Sequence, residues 1–376
     1  MKSAPTFVIL LALSALSAAS CGSDESTEGT PRTGSGGDSG ISKLPAGWNT
    51  IKPGGATTCA RDTEFQYFVR PGTVNRVLVE FRGGGACWNA FTCSISDSLF
   101  QETADVPAFV QNEAQSRGIY DHADPKNPFK DWHHVFIPYC TGDVHWGDAT
   151  RTYDNGMGPF TIQHKGGVNA RAVLDWLYEN VPAPEKVFVT GCSAGAYGAI
   201  MWSSHIRNHY KNSKVYQLAD SGAGVITDSF FQESFPQWNA EASYPLFIPN
   251  VDPNAFTRLP QLYTLIGATF PDMFLSQYNT QFDENQHFYY NAMGGGDANE
   301  WSQKMRANVS EIEASTPNFS SYVAPGFVHC IIPSPEFFSV ESAGVKLVDW
   351  INDVVNDKPV ESVSCEPNCG APKPAP

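Results

Sequence analysis

The chain reads as an α/β protein: a mostly parallel sheet flanked by helices, with long insertions at one end of the sheet. Three observations predict this. Short β-rich runs alternate with longer runs of helical period, which implies parallel strands joined by helical crossovers. A tight strand-to-helix turn, Gly191-Cys192-Ser193-Ala194-Gly195, sits mid-chain. Two long aromatic-rich stretches, residues 94–131 and 227–275, interrupt the alternation. They are expected at the carboxyl ends of strands, where open α/β sheets bind ligands.

Taken in order, Phe65-Gln66-Tyr67-Phe68-Val69, Val77-Leu78-Val79-Glu80-Phe81 and Val135-Phe136-Ile137-Pro138-Tyr139 read as strands. Residues 164–180 carry Val168, Ala172, Val173, Leu174, Leu177 and Tyr178 at helical spacing. Lys186-Val187-Phe188-Val189-Thr190 is a short buried strand that enters the turn, and a helix starts at Ala196. Residues 214–219 form the next strand, closed by Asp220-Ser221-Gly222. Residues 319–323 form a late strand, and residues 345–351 open a final helix.

The ends read differently. Residues 7–19 are an apolar run after Lys2, too short to span a bilayer and suited to a signal-peptide core, so residues 1–20 are expected to be a leader. Ala18-Ala19-Ser20-Cys21 resembles a lipobox with Cys21 as the acylated residue. This predicts an exported protein, lipid-anchored to a bacterial membrane or secreted. Residues 21–45 read as a flexible tether and residues 359–376 as a tail. About 320 residues between them suffice for one large domain.

The formal charge is −15, without a basic cluster, which argues against nucleic acid and anionic headgroups as partners. A monomer whose only membrane contact is a lipid anchor is expected. Eight cysteines besides Cys21 in an exported chain suggest disulfides. Cys87 with Cys93, and Cys365 with Cys369, are placed to close small rings. Cys59, Cys140, Cys192 and Cys330 allow three pairings that spacing does not separate. The chain has no C-x-x-C and no H-E-x-x-H, so no metal or other cofactor is expected.

The turn at Ser193 matches G-x-S-x-G, the nucleophile elbow of an α/β-hydrolase-like fold, where the flanking glycines are needed because a Cβ would clash. A serine hydroxyl needs a histidine oriented by a carboxylate, in the order Ser, acid, His. His329 lies in a loop between the last strand and the last helix, where that fold carries its base; His287 is the alternative, and His205 and His209 read as helix-surface residues. Asp283 and Asp220 both qualify as the acid, with Glu284 and Asp272 behind them. Spacing alone does not choose. Oxyanion donors are expected from Ala194 and from the glycines of Arg82-Gly83-Gly84-Gly85-Ala86-Cys87-Trp88, and no G-K-[ST] follows that would make this loop a P-loop. Trp88, Phe91 and Trp146 are candidates for an acyl pocket or for stacking on sugar rings. Asp143-Val144-His145-Trp146-Gly147-Asp148 reads as a substrate-lining or loop-fixing segment, since two carboxylates and a histidine without further partners are not a ligand set.

Together these motifs resemble the pectin acetylesterase/Notum family of serine carboxylesterases over roughly residues 47–355, in the pattern of a bacterial member. The resemblance rests on Gly83–Trp88 with Cys93, Tyr139–His145, Gly191–Ala196, Asp220-Ser221-Gly222 and the segments around Asp283 and His329. It implies Ser193 as nucleophile, Asp283 as acid and His329 as base, with Gly84, Gly85 and Ala194 at the oxyanion hole. Asp220 then shapes the floor of the site beside Trp88 and Trp146 as substrate-lining residues. The implied activity is hydrolysis of O-acetyl esters on a pectin-like polysaccharide. A longer-acyl carboxylesterase is the alternative within enzymes, and a non-catalytic, glycan-binding surface lipoprotein is the alternative outside them.

Overall fold

The computed structural model describes residues 40–372 except residue 97. The leader, Cys21 and most of the expected tether therefore lie outside the described residues. The central sheet has eight strands: β1 (Asn49–Ile51), β2 (Tyr67–Arg70), β3 (Arg76–Phe81), β4 (His133–Ile137), β5 (Lys186–Cys192), β6 (Lys214–Asp220), β7 (Phe274–Thr280) and β8 (Phe319–Ala324). Their spatial order is β1-β2-β4-β3-β5-β6-β7-β8. β1 and β2 pair antiparallel and β2 joins β4 antiparallel; every pairing from β4 through β3 to β8 is parallel. This is the mostly parallel, helix-covered sheet of an α/β-hydrolase-like fold.

The central strands are apolar because helices cover both faces of the sheet. All seven residues of β5 are buried. The main helices are α1 (Gly166–Asn180), α2 (Ala194–His209), α3 (Leu259–Thr269), α4 (Glu284–Ala292), α5 (Ala298–Ser315) and α6 (Leu347–Val355). In α5 only one stripe is buried: Trp301, Met305, Val309 and Ile312, at helical spacing.

β7 is a strand that composition hides. Ser276, Gln277, Asn279 and Thr280 are polar, yet all are buried. The cost of burial is offset by hydrogen bonds. The Ser276 hydroxyl donates to the Gln217 carbonyl at 2.7 Å, and the Asn279 amide donates to the Gln277 side chain at 3.1 Å.

The packed chain extends past both predicted limits. Gly40–Lys43 forms a 3-10 turn whose Ile41 is fully buried in the main core. At the other end, Val363 exchanges backbone hydrogen bonds with Ser321 and Val323 at 2.8 Å. Segment 359–370 is therefore no loose tail. It covers the exposed edge of β8, where unpaired amides would otherwise template aggregation.

Among the described residues, four disulfides join Cys59–Cys140, Cys87–Cys93, Cys192–Cys330 and Cys365–Cys369. Both small rings form as expected, and the remaining four cysteines take one of the three open pairings. Bridges of this number belong to an oxidising compartment. Among the described residues, no helix is long and apolar enough to cross a membrane.

Candidate active site

The sheet topology delivers the site. The loop after β3, the turn after β5, Ser221 after β6, Asp283 after β7 and His329 after β8 all lie at the carboxyl end of neighbouring parallel strands. Register brings Phe81 beside Gly191 and Cys192 beside Asp220.

Ser193 has φ 57° and ψ −123°, a backbone rarely adopted by residues other than glycine. The elbow holds it there by packing. A Cβ on Gly191 would lie 2.3 Å from the Gly195 carbonyl oxygen, and one on Gly195 would lie 1.9 Å from the Phe81 oxygen. The Ser193 amide donates to the Asp220 carbonyl at 2.9 Å. Ala194 begins α2, so its amide belongs to the first turn, whose N–H groups have no partner within the helix.

The glycine loop lies against the elbow. A Cβ on Gly83 would come within 2.9 Å of the Ser193 Cβ. The loop is clamped in register with residues 99–101: Ala86 donates to the Leu99 carbonyl at 3.2 Å, and Gln101 donates to the Gly84 carbonyl at 2.8 Å. The Tyr289 hydroxyl donates to the same Leu99 oxygen and stands where a Gly85 side chain would be. Segment 143–146 supports the loop from behind. The His145 ring donates from Nε2 to the Arg82 carbonyl at 2.8 Å, while the fully buried Asp143 accepts from the Gly166 amide at 2.8 Å and from the Thr141 hydroxyl at 2.6 Å. Asp143 and His145 thus fix the loop, while Val144 and Trp146 of the same segment line a pocket at Ser193.

His329 Nδ1 lies 2.9 Å from both carboxylate oxygens of Asp283. Asp283 is fully buried and caps α4, accepting from the amides of Asn285 and Gln286 at 3.0 and 2.9 Å. The Gln286 side chain also donates to Asp283 at 3.0 Å, while its oxygen accepts from the Ala223 amide at 2.8 Å. Gln286 was missed in the sequence, although Asp283-Glu284-Asn285-Gln286 carries the spacing of a helix-capping box.

Asp220 does not line the site, which corrects the expectation of a substrate-lining residue. It is fully buried. Its carboxylate accepts from the Ile332 amide at 2.8 Å and from the Ser221 hydroxyl at 3.0 Å, and the Cys330 amide donates to that hydroxyl at 3.0 Å. Burial pushes its pKa up to about 6, opposed by these donors. Asp220 thus fastens the histidine loop to the elbow. The other candidates lie apart. The His287 ring is 3.3 Å from the Gly296 carbonyl, His209 stacks on Tyr178, and Asp272 pairs with Arg207 on the surface. His205 is half-buried against Trp202 and bonds the Ser243 carbonyl at 3.0 Å, so it is no solvated surface residue.

Two cavities meet at Ser193 and His329. One is a pocket of about 90 Å³ walled by Trp88, Trp146, Phe230, Phe235, Trp238 and Leu259. The other is a cleft of about 670 Å³ bordered by Gly83, Gly84 and Gly85 and by Arg82, Gln101 and Arg117. The long insertions divide between them: residues 227–275 wall the pocket and residues 94–131 wall the cleft. Trp88 is nearly buried, its ring edge-on to Phe230 at 5.4 Å. Phe91 lines neither cavity and is 69% exposed, because it points out from the short helix Ala90–Ser94.

Comparison with known proteins fits this geometry. A family model described as pectinacetylesterase matches residues 52–242, half of the chain. The chain belongs to the pectinacetylesterase family. It is 26% identical to pectin acetylesterase 5 of Arabidopsis thaliana over 148 residues, which are 39% of this chain and 33% of that protein. It is 28% identical to the palmitoleoyl-protein carboxylesterase NOTUM of Schmidtea mediterranea over 178 residues, 46% of this chain and 32% of that one. Pectin acetylesterase 4 of Arabidopsis thaliana is 26% identical over 151 residues, 39% and 36% of the two chains. The aligned stretch thus spans about a third of each of these curated relatives. The family match ends before Asp283 and His329, so that part of the site rests on this chain's own geometry.

Proposed function

We propose that this family member is a serine carboxylesterase that removes O-acetyl groups from a pectin-like polysaccharide through an acyl-enzyme. The observation that carries the reading is Ser193, held on its elbow against the glycine loop, sharing both cavities with a histidine whose Nδ1 is bonded to the buried Asp283. With Nδ1–H donated to Asp283, the lone pair on Nε2 is available to take the Ser193 proton. The serine oxygen attacks the ester carbonyl. The amides of Gly84, Gly85 and Ala194 receive the developing oxyanion. His329 then protonates the departing alcohol and afterwards activates the water that releases acetate. Asp283 keeps the imidazole oriented and stabilises its cationic form.

The two cavities support a division of labour. The small apolar pocket suits an acyl group, and the wider cleft, with its arginines and glutamine, suits sugar residues. The test is Ser193→Ala. It should lose at least about a thousandfold in kcat on p-nitrophenyl acetate while remaining folded, and a fluorophosphonate should label Ser193 alone. Retained turnover in a pure sample refutes the mechanism.

One observation favours a second reading: the pocket wall is aromatic well beyond what a single methyl group would touch, and NOTUM is named for a long acyl group. Each CH₂ buried there would add about 0.8 kcal/mol. A series of p-nitrophenyl esters from acetyl to octanoyl separates the two readings, since an acetylesterase loses kcat/KM steadily along it. For the exported form we propose anchoring through acylated Cys21, tested by metabolic labelling with a fatty-acid probe and loss of the label in Cys21→Ala.

A further inference from the structure

The alcohol cleft has a cation without a counter-charge among the described residues. Arg82 directly follows β3 and precedes the glycines, with its backbone locked: its amide donates to the Ile137 carbonyl at 2.9 Å and its carbonyl accepts from His145. Its side chain is half-buried and borders the cleft. Among the described residues the guanidinium makes no hydrogen bond or ion pair. Its electrostatic neighbours are Glu80 and Tyr120, which lie with it along the cleft.

Glu80 does not neutralise it. That carboxyl is buried, accepts the Tyr120 hydroxyl at 2.5 Å and lies 2.8 Å from His134 Nε2. Burial pushes its pKa up to about 8, so it stays protonated at neutral pH. Among the described residues, the only other ionisable groups on the cleft besides Tyr120, Tyr289 and His329 are Glu80 and Arg117. The Arg117 guanidinium donates to the Ser116 carbonyl and has no carboxylate partner among the described residues. A chain of net charge −15 thus presents, on the cleft that holds its nucleophile, two arginines without a carboxylate partner among the described residues.

We propose that Arg82 is the specificity-determining residue of the cleft, binding a carboxylate carried by the sugar whose ester is cleaved, with Arg117 reinforcing the field. The inference rests on the esterase reading of Ser193. A guanidinium matches a carboxylate as a two-pronged donor, and a partly desolvated site strengthens the pair. Held one residue from the oxyanion loop, Arg82 sets which alcohols enter in register with the serine.

The experiment measures kcat/KM on acetylated polygalacturonate and on acetylated xylan with the same enzyme preparation, and takes their ratio so that effects on the chemical step cancel. In Arg82→Gln the ratio should fall about tenfold or more, and Arg82→Lys, which keeps the charge but loses the two-pronged donor, should fall between that variant and the wild type. Salt at 0.5 M should lower the wild-type ratio more than that of Arg82→Gln. A ratio unchanged in Arg82→Gln overturns the inference. If that variant does not fold, Arg117→Gln and competitive inhibition of the wild type by deacetylated polygalacturonate replace it; no inhibition, together with an unchanged ratio, overturns the inference. Wild-type enzyme that turns over p-nitrophenyl acetate with a polysaccharide ratio near one sinks the role of Arg82 and leaves the esterase standing. Absence of turnover on every ester sinks the esterase reading instead.

Discussion

Removing the Cys192–Cys330 bridge separates two ways the histidine loop is held. The bridge joins the residue before the nucleophile to the residue after the base, 138 positions apart. Its loop overlaps none of the other three disulfide loops, so their constraints do not discount it. In the chain-entropy model a loop of that length removes about 17 cal/mol/K from the unfolded state, about 5 kcal/mol at 25 °C. For roughly 330 ordered residues the unfolding entropy is about 0.7 kcal/mol/K, so Cys192→Ala/Cys330→Ala should melt about 7 °C lower. Activity should respond less. His329 keeps its bond to Asp283, Val328 accepts from the Thr280 hydroxyl at 3.0 Å, and the amides of Cys330 and Ile332 remain tied to Ser221 and Asp220. At 25 °C kcat should stay within about tenfold of wild type. The assay pairs calorimetry with p-nitrophenyl acetate kinetics. A melting point within 2 °C of wild type would refute the stability argument. A collapse of kcat in a folded variant would show that the hydrogen bonds alone do not position the base.

Other substitutions probe the remaining parts. Asp283→Asn should lower kcat by about ten-thousandfold with little change in Tm, because asparagine still caps α4. Asp220→Asn should chiefly destabilise, by about 1–3 kcal/mol, by disturbing its bonds to Ile332 and Ser221; the opposite pattern would make Asp220 the acid. Glu80 is held protonated when folded, with a pKa raised from 4.5 to about 8. Its contribution is therefore fully present below about pH 4.5 and lost as pH rises through about 8. Glu80→Gln should flatten the fall of Tm between those limits, and an unchanged slope counts against a protonated Glu80. Trp88→Ala should raise the octanoyl-to-acetyl ratio of kcat/KM by opening the pocket, at a stability cost of about 3–5 kcal/mol; an unchanged ratio would remove Trp88 from the acyl wall.

Local rules determined much of this protein in advance. The elbow at Ser193 is legible because its backbone excludes side chains at Gly191 and Gly195, and that steric demand is written into two letters. The apolar strands β3 and β5 and the stripe of α1 declare themselves by period. The acid could not be chosen by spacing: Asp220 ends one strand and Asp283 follows another, and only the packed sheet places Asp283 at His329 while sealing Asp220 beneath the loop. The pairing of Cys192 with Cys330 depends on two loops, far apart in the chain, meeting at one end of the sheet. β7 escaped notice because its polar residues satisfy one another only once neighbouring strands are in register. Segment 359–370 read as part of a tail because its composition says nothing of the β8 edge it covers. Arg82 stood in plain view beside the glycines, but its lack of a partner is a property of the folded surroundings. Steric exclusions act between adjacent residues and can be read from them; charge balance and hydrogen-bond satisfaction are sums over neighbours that only the fold assembles.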